Sequence, residues 1–143
     1  MQIGKLGCQL QRKDSRNVYA LIGIEATTLH KERGRLGPLL ETFVLQELKR
    51  QASWRADAIE FFHYRDRDDF EVDILLESGS ATIAGVEVKA AATVVESDLR
   101  GLRKLRDTAG LRFKSGVVLY DGAASINFGD RLFAVPLRRL WET

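Results

Sequence analysis

The chain has 143 residues, 45% of them hydrophobic and 29% charged, a net charge of +2 and a single cysteine. That is the make-up of one ordinary globular domain with room for a sizeable core, and it leaves little chain for a second. No apolar run approaches the roughly 20 residues that span a bilayer, the opening stretch lacks the apolar centre of a signal peptide, and the lone Cys8 cannot form an internal disulfide, so a cytoplasmic protein without membrane partners is expected.

Residues 1–33 read as an N-terminal extension. Their one apolar stretch, VYALIGI (18–24), suits a strand, a short helix or the remnant of a larger element. A domain over 34–143 follows. It opens with Leu36, Leu40, Val44, Leu45 and Leu48 at helical spacing and Pro38 as a first-turn residue, which predicts a helix over about 37–51. AIEFFHY (58–64), DFEVDILLE (69–77) and ATIAGVEVKA (81–90), separated by the charged turn RDRDD and the turn SGS, predict three consecutive antiparallel strands. ESDLRGLRKLRDTAG predicts a second helix, with Ser97 as its cap, Asp98 in its first turn, Leu99, Leu102 and Leu105 on one face and Gly110 at its stop. SGVVLYDG (115–122) predicts a buried strand, and RLFAVPLRRLW a last strand passing into a short helical turn. This order implies an α/β fold, a central sheet flanked by helices. Cations cluster at 11–16, 31–35, 49–55 and 100–114, a weak pointer to a polyanion, since most such runs are solvated faces.

Strand parity places the polar residues. Successive strand side chains point to opposite faces, so Phe70, Val72, Ile74 and Leu76 share one face and Asp73 the other, while Glu87 and Lys89 point together away from Val86 and Val88. If the two strands are hairpin neighbours, Asp73, Glu87 and Lys89 converge. Glu41 falls on the apolar stripe of the first helix, between Val44, Leu45 and Leu48, and so faces the protein. Carboxylates in such places need a cation, a donor or a metal. Hard oxygen ligands suit Mg2+ or Mn2+, and a lysine beside the ion orients the attacking water or stabilises a phosphoryl transition state. The plain alternative is a solvated strand face with cross-strand salt bridges. His30 and His63 read as ordinary surface or edge residues, and Trp54 and Trp141 as packing.

Asp73, a short turn and then VEVKA with Glu87-x-Lys89, behind a helix bearing Glu41, resemble the PD-(D/E)XK nuclease superfamily, and the αβββαβ order is similar to its restriction-endonuclease-like core with a mixed central sheet. More closely, GPLLETFVLQELKRQ, FFHYRDRDDFEVDILLE, GVEVKAAATVVESDLRGLRKL and GVVLYDG resemble the C-terminal domain of unknown function (DUF4143 type) of prokaryotic AAA-type ATPases, from about Leu21 to Trp141. The superfamily resemblance implies Asp73 and Glu87 as ligands of Mg2+ or Mn2+ with the carbonyl of Val88 as a third, Lys89 as the catalytic lysine, and Glu41 as the helix carboxylate that ligates directly or through water. The superfamily's proline is absent, Val72 standing before Asp73. No G-x-x-x-x-G-K-[ST] occurs, so no ATP site of that kind is expected in the chain. The implied activity is metal-dependent hydrolysis of phosphodiester bonds in nucleic acid, DNA before RNA. The competing implications are a non-catalytic module, binding or regulatory, derived from the C-terminal domain of an ATPase, and a homo-oligomerisation domain.

Overall fold

A computed structural model of the chain describes residues 9–12 and 33–142. VYALIGI and His30 lie outside the described residues. Among the described residues, seven strands form one mixed sheet: β1 (Gln9–Arg12), β2 (Ile59–Arg65), β3 (Glu71–Ser78), β4 (Ile83–Lys89), β5 (Phe113–Tyr120), β6 (Ile126–Asn127) and β7 (Leu132–Pro136), in the spatial order β1-β2-β3-β4-β5-β7-β6. The ladders from β1 to β4 are antiparallel, β4–β5 and β5–β7 are parallel, and β6 returns antiparallel beside β7. β1 thus adds an edge strand from within the N-terminal extension. Short turns suffice for the antiparallel strands, whereas the parallel step from β4 to β5 needs a crossover. That crossover is a 3-10 turn, Glu96–Leu99, running into helix α2 (Arg100–Ala109).

Helix α1 (Arg33–Ala52) starts earlier than its periodicity predicts, which puts Pro38 inside it rather than in the first turn. Proline there has no N–H for the preceding turn. Lys49 and Arg50 in the last turn suit the negative end of the helix dipole.

Helices α1 and α2 cover opposite faces of the sheet. Val44 and Leu45 of α1 pack with Phe61, Ile74, Val86 and Leu119, while Leu99, Leu102 and Leu105 of the crossover pack with Tyr64, Val72, Leu75 and Phe113. α2 approaches closely because β4 carries Gly85 beneath it, where a Cβ would stand 2.7 Å from a methyl of Leu102. Asp98, not Ser97, caps the crossover: its carboxylate accepts the Val95 N–H at 2.8 Å. Gly110 ends α2 with φ 57°, a left-handed value that suits glycine.

Trp54 departs from the packing expectation. It is 73% exposed, with the Arg50 guanidinium carbon 4.5 Å from its ring centre, and Trp141 packs on Phe43 at 5.4 Å between ring centres.

Candidate functional site

The β2–β3 ladder slips by one residue at the place that matters for the site. Phe62 pairs with Leu75 but Tyr64 with Val72, so β2 advances two residues while β3 advances three. The extra residue makes a β-bulge at Asp73–Ile74 opposite His63, whose Nδ1 lies 3.3 Å from the Asp73 carbonyl oxygen. The even alternation expected from Phe70 to Leu76 is therefore broken: Val72 packs in the core under α2 and Ile74 in the core under α1. A bulge re-aims the side chain it carries. Here the Asp73 carboxylate reaches across to β4, where its Oδ2 accepts the Val88 N–H at 2.8 Å.

β4 does alternate. Val86 and Val88 pack on the α1 side, while Glu87 and Lys89 face the start of α2. There they meet Asp73 in a cleft of about 370 Å³, lined also by Phe70, Glu71, Ser97, Asp98, Arg100 and Gly101. Val88 lines the cleft too, and with its side chain in the α1-side core it brings main-chain atoms there. Gly101 brings the helix this close: a Cβ on it would lie 1.9 Å from the Glu71 carbonyl oxygen and 3.0 Å from Glu87 Oε1.

The acids do not share the site as two free anions. Burial of its carboxyl, the negative charge of Asp73 and a hydrogen bond with Asp73, with smaller effects of Glu71 and Asp98, push Glu87 up to about 10. A hydrogen bond between two carboxyl groups needs a proton, so in the protein without a cation Glu87 carries it at neutral pH. Two acids driven to share a proton are acids that a dication would suit, because its charge removes the repulsion that the proton otherwise relieves. The donor set, two carboxylates with the Val88 main chain beside them, matches ions that keep several waters and take few protein ligands. Among the described residues no group of three His, Cys, Asp or Glu side chains is gathered for a metal.

Lys89 lines the same cleft, but its ammonium pairs with Asp98. Burial raises the Asp98 carboxyl; the hydrogen bond and charge of Lys89 and the Val95 N–H outweigh it and hold the group below its ordinary value. Glu41 is not brought in. It sits half-buried on α1, whose apolar stripe packs on the opposite face of the sheet, and it is not among the residues lining the cleft. Helical periodicity put Glu41 on the buried stripe without telling which face of the sheet that stripe covers.

The sequence matches the family described as "Domain of unknown function (DUF4143)" over residues 36–140, from the first turns of α1 through the turn that follows β7. The chain belongs to that DUF4143 family. No curated protein matches it. Among the described residues, no helix is long and apolar enough to cross a membrane.

Two residues of this DUF4143 chain reach the site without having been singled out from the sequence. Asp98 was legible only as a first-turn acid, yet it caps the crossover and holds Lys89. Arg100 was one cation in a basic run, yet it lines the cleft.

Proposed function

We propose that the chain is a divalent-cation-dependent phosphodiesterase of the PD-(D/E)XK kind acting on nucleic acid, with DNA the first substrate to test. The observation that carries this reading is the cleft in which Asp73, a Glu87 carboxyl pushed up to about 10, and Lys89 come together. A carboxyl as strongly perturbed as Glu87, lying in an open cleft beside a specific charge partner, marks a candidate functional site. The mixed sheet, with α1 before the three antiparallel strands and α2 crossing to a parallel fifth, supports a restriction-endonuclease-like core.

In this reading Asp73, Glu87 and the Val88 carbonyl would hold Mg2+ or Mn2+, while Glu41 does not line the cleft. The ion, when bound, supplies Lewis-acid polarisation of the phosphodiester. The residues supply the rest. To ligate an ion, Glu87 would give up its proton. Lys89, positioned by Asp98, hydrogen-bonds the attacking water or a non-bridging phosphate oxygen as negative charge builds there. Water adds to phosphorus and loses a proton, the bond to the leaving sugar oxygen breaks, and that oxygen takes up, through solvent, the proton the water has lost. Asp98 is a positioning residue, because it acts through Lys89.

The Lys89–Asp98 pair also favours a second reading, a non-catalytic module in which the lysine pins the crossover to β4. Calorimetric titration with Mn2+, followed by incubation with mixed DNA and RNA substrates, separates the two. The nuclease reading expects Lys89→Ala to keep ion binding and lose cleavage, and Asp73→Ala to lose both. Wild type that neither binds Mn2+ nor cleaves, with Lys89→Ala melting a few degrees lower, establishes the non-catalytic module instead.

A further inference from the structure

We propose that Arg100, with Ser97 one turn before it, is a phosphate-binding rim that seats a nucleic-acid strand across the Asp73–Glu87 pair; the inference rests on the nuclease reading and adds its substrate contact. The cations around the cleft are nearly all engaged. Lys89 pairs with Asp98, Arg103 with Glu96, Lys104 with Asp68 at 3.5 Å and Asp66 at 3.7 Å, and Arg65 with Asp69 at 2.7 Å and Glu71 at 3.1 Å. Arg100 lines the cleft, is exposed, and forms no ion pair with any described residue.

Its position is nevertheless determined. The guanidinium carbon lies 5.2 Å from the centre of the Phe70 ring. On either side of Arg100 the backbone is anchored by fully buried Leu99 and by Gly101 against Glu71 and Glu87. An arginine oriented by an aromatic ring rather than by a carboxylate keeps its charge and its N–H fork for a ligand, and that fork matches a phosphate. Ser97 lines the cleft one turn earlier, and its hydroxyl makes no hydrogen bond to a described residue.

The geometry also selects a ligand class. The Glu87 carboxyl is at the floor of the cleft and Arg100 is exposed at its mouth. A single phosphate over the acid pair leaves the rim empty. A chain of linked phosphates fills both places, so the occupant is an oligonucleotide rather than a phosphate monoester.

The test measures anisotropy of labelled single-stranded and duplex DNA with the full chain, in EDTA and in Ca2+, for wild type, Arg100→Ala, Arg100→Lys and Arg67→Ala, an exposed arginine outside the cleft. Losing one phosphate contact predicts that Arg100→Ala weakens binding roughly tenfold whatever the base sequence, and lowers the slope of log Kd against log salt by about 0.7–1. Arg100→Lys recovers part of the loss, and Arg67→Ala stays close to wild type. With Mn2+, Arg100→Ala raises KM with little change in kcat. Equal binding by wild type and Arg100→Ala, or an equal loss in Arg67→Ala, overturns the inference and leaves the nuclease reading standing. DNA binding that depends on Arg100 without any cleavage removes the nuclease reading and keeps the rim as that of a binding module. Wild type that neither binds nor cleaves nucleic acid overturns both.

Discussion

Replacing Glu87 with glutamine tests the proton shared in the cleft, because glutamine has the shape and neutrality of the protonated acid. Without metal, the folded protein holds Glu87 at about 10 against an ordinary 4.5. The sign follows from linkage. An acid whose value is raised by folding is no burden below its unfolded value, and it weakens the fold progressively as pH rises from about 4.5 towards 10. At pH 7 the unfolded chain has gained about two and a half pH units of ionisation free energy that the native state forgoes, and at ~1.4 kcal/mol per unit this costs the wild type at most about 3.5 kcal/mol. Glu87→Gln should therefore melt higher than wild type at pH 7 in EDTA, with the difference shrinking to nothing near pH 4. Mn2+ should reverse the order, stabilising wild type and leaving the variant unmoved. Isothermal titration in buffers of different ionisation enthalpy should count about one proton released per Mn2+ at pH 7, and log affinity should rise by about one per pH unit between 5 and 9. A variant that melts below wild type at both ends of the pH range in EDTA would refute the shared proton and with it the case for the cation.

Gly101→Ala drives a Cβ to 1.9 Å from the Glu71 carbonyl oxygen, so the start of α2 must lift from β3, costing about 2–3 kcal/mol in urea denaturation and any Mn2+ affinity the wild type has. Leu102→Ala empties a fully buried site under α2 and should lower stability by about 2–5 kcal/mol with an unchanged urea m-value. Asp98→Ala removes both the partner of Lys89 and the acceptor of the Val95 N–H, a loss of about 1–2 kcal/mol; Asp98→Asn keeps the second contact and should recover part of it in thermal melts. Because folding lowers the Asp98 value, its contribution is present above pH 4 and fades as pH falls further, so the gap between wild type and Asp98→Ala should close on acidification.

Apart from β6, the kinds and order of the elements from α1 to β7 were legible in the sequence, because apolar spacing and turn chemistry are local. Leu99, Leu102 and Leu105 needed only helical spacing to declare a buried face, and Gly110 only its freedom at positive φ to end the helix. The alternation of Val86, Glu87, Val88 and Lys89 put the acid and the lysine together on one face of β4, as the structure has them. Edge strand β1 and the two-residue β6 gave no such signal. Each is short, and each exists through its pairing with a neighbour.

Parity brought Asp73 to the right cleft by an argument that only half describes the backbone. An even strand would put Val72 and Ile74 on one face; the bulge opposite His63 separates them into two cores and turns the aspartate towards Val88. Glu41 shows the complementary limit, since helical spacing assigns it to the apolar stripe and α1 lays that stripe on the far face of the sheet. Lys89 finds Asp98, nine residues on, because the crossover folds back over β4 at Gly85 and Gly101. Periodicity is carried by neighbouring residues through backbone geometry, so the sequence by itself determined the elements and the facing of β4. Where a ladder gains a residue, which face a helix covers and which charge meets which depend on the simultaneous packing of side chains far apart in the chain, and only the tertiary structure decided them.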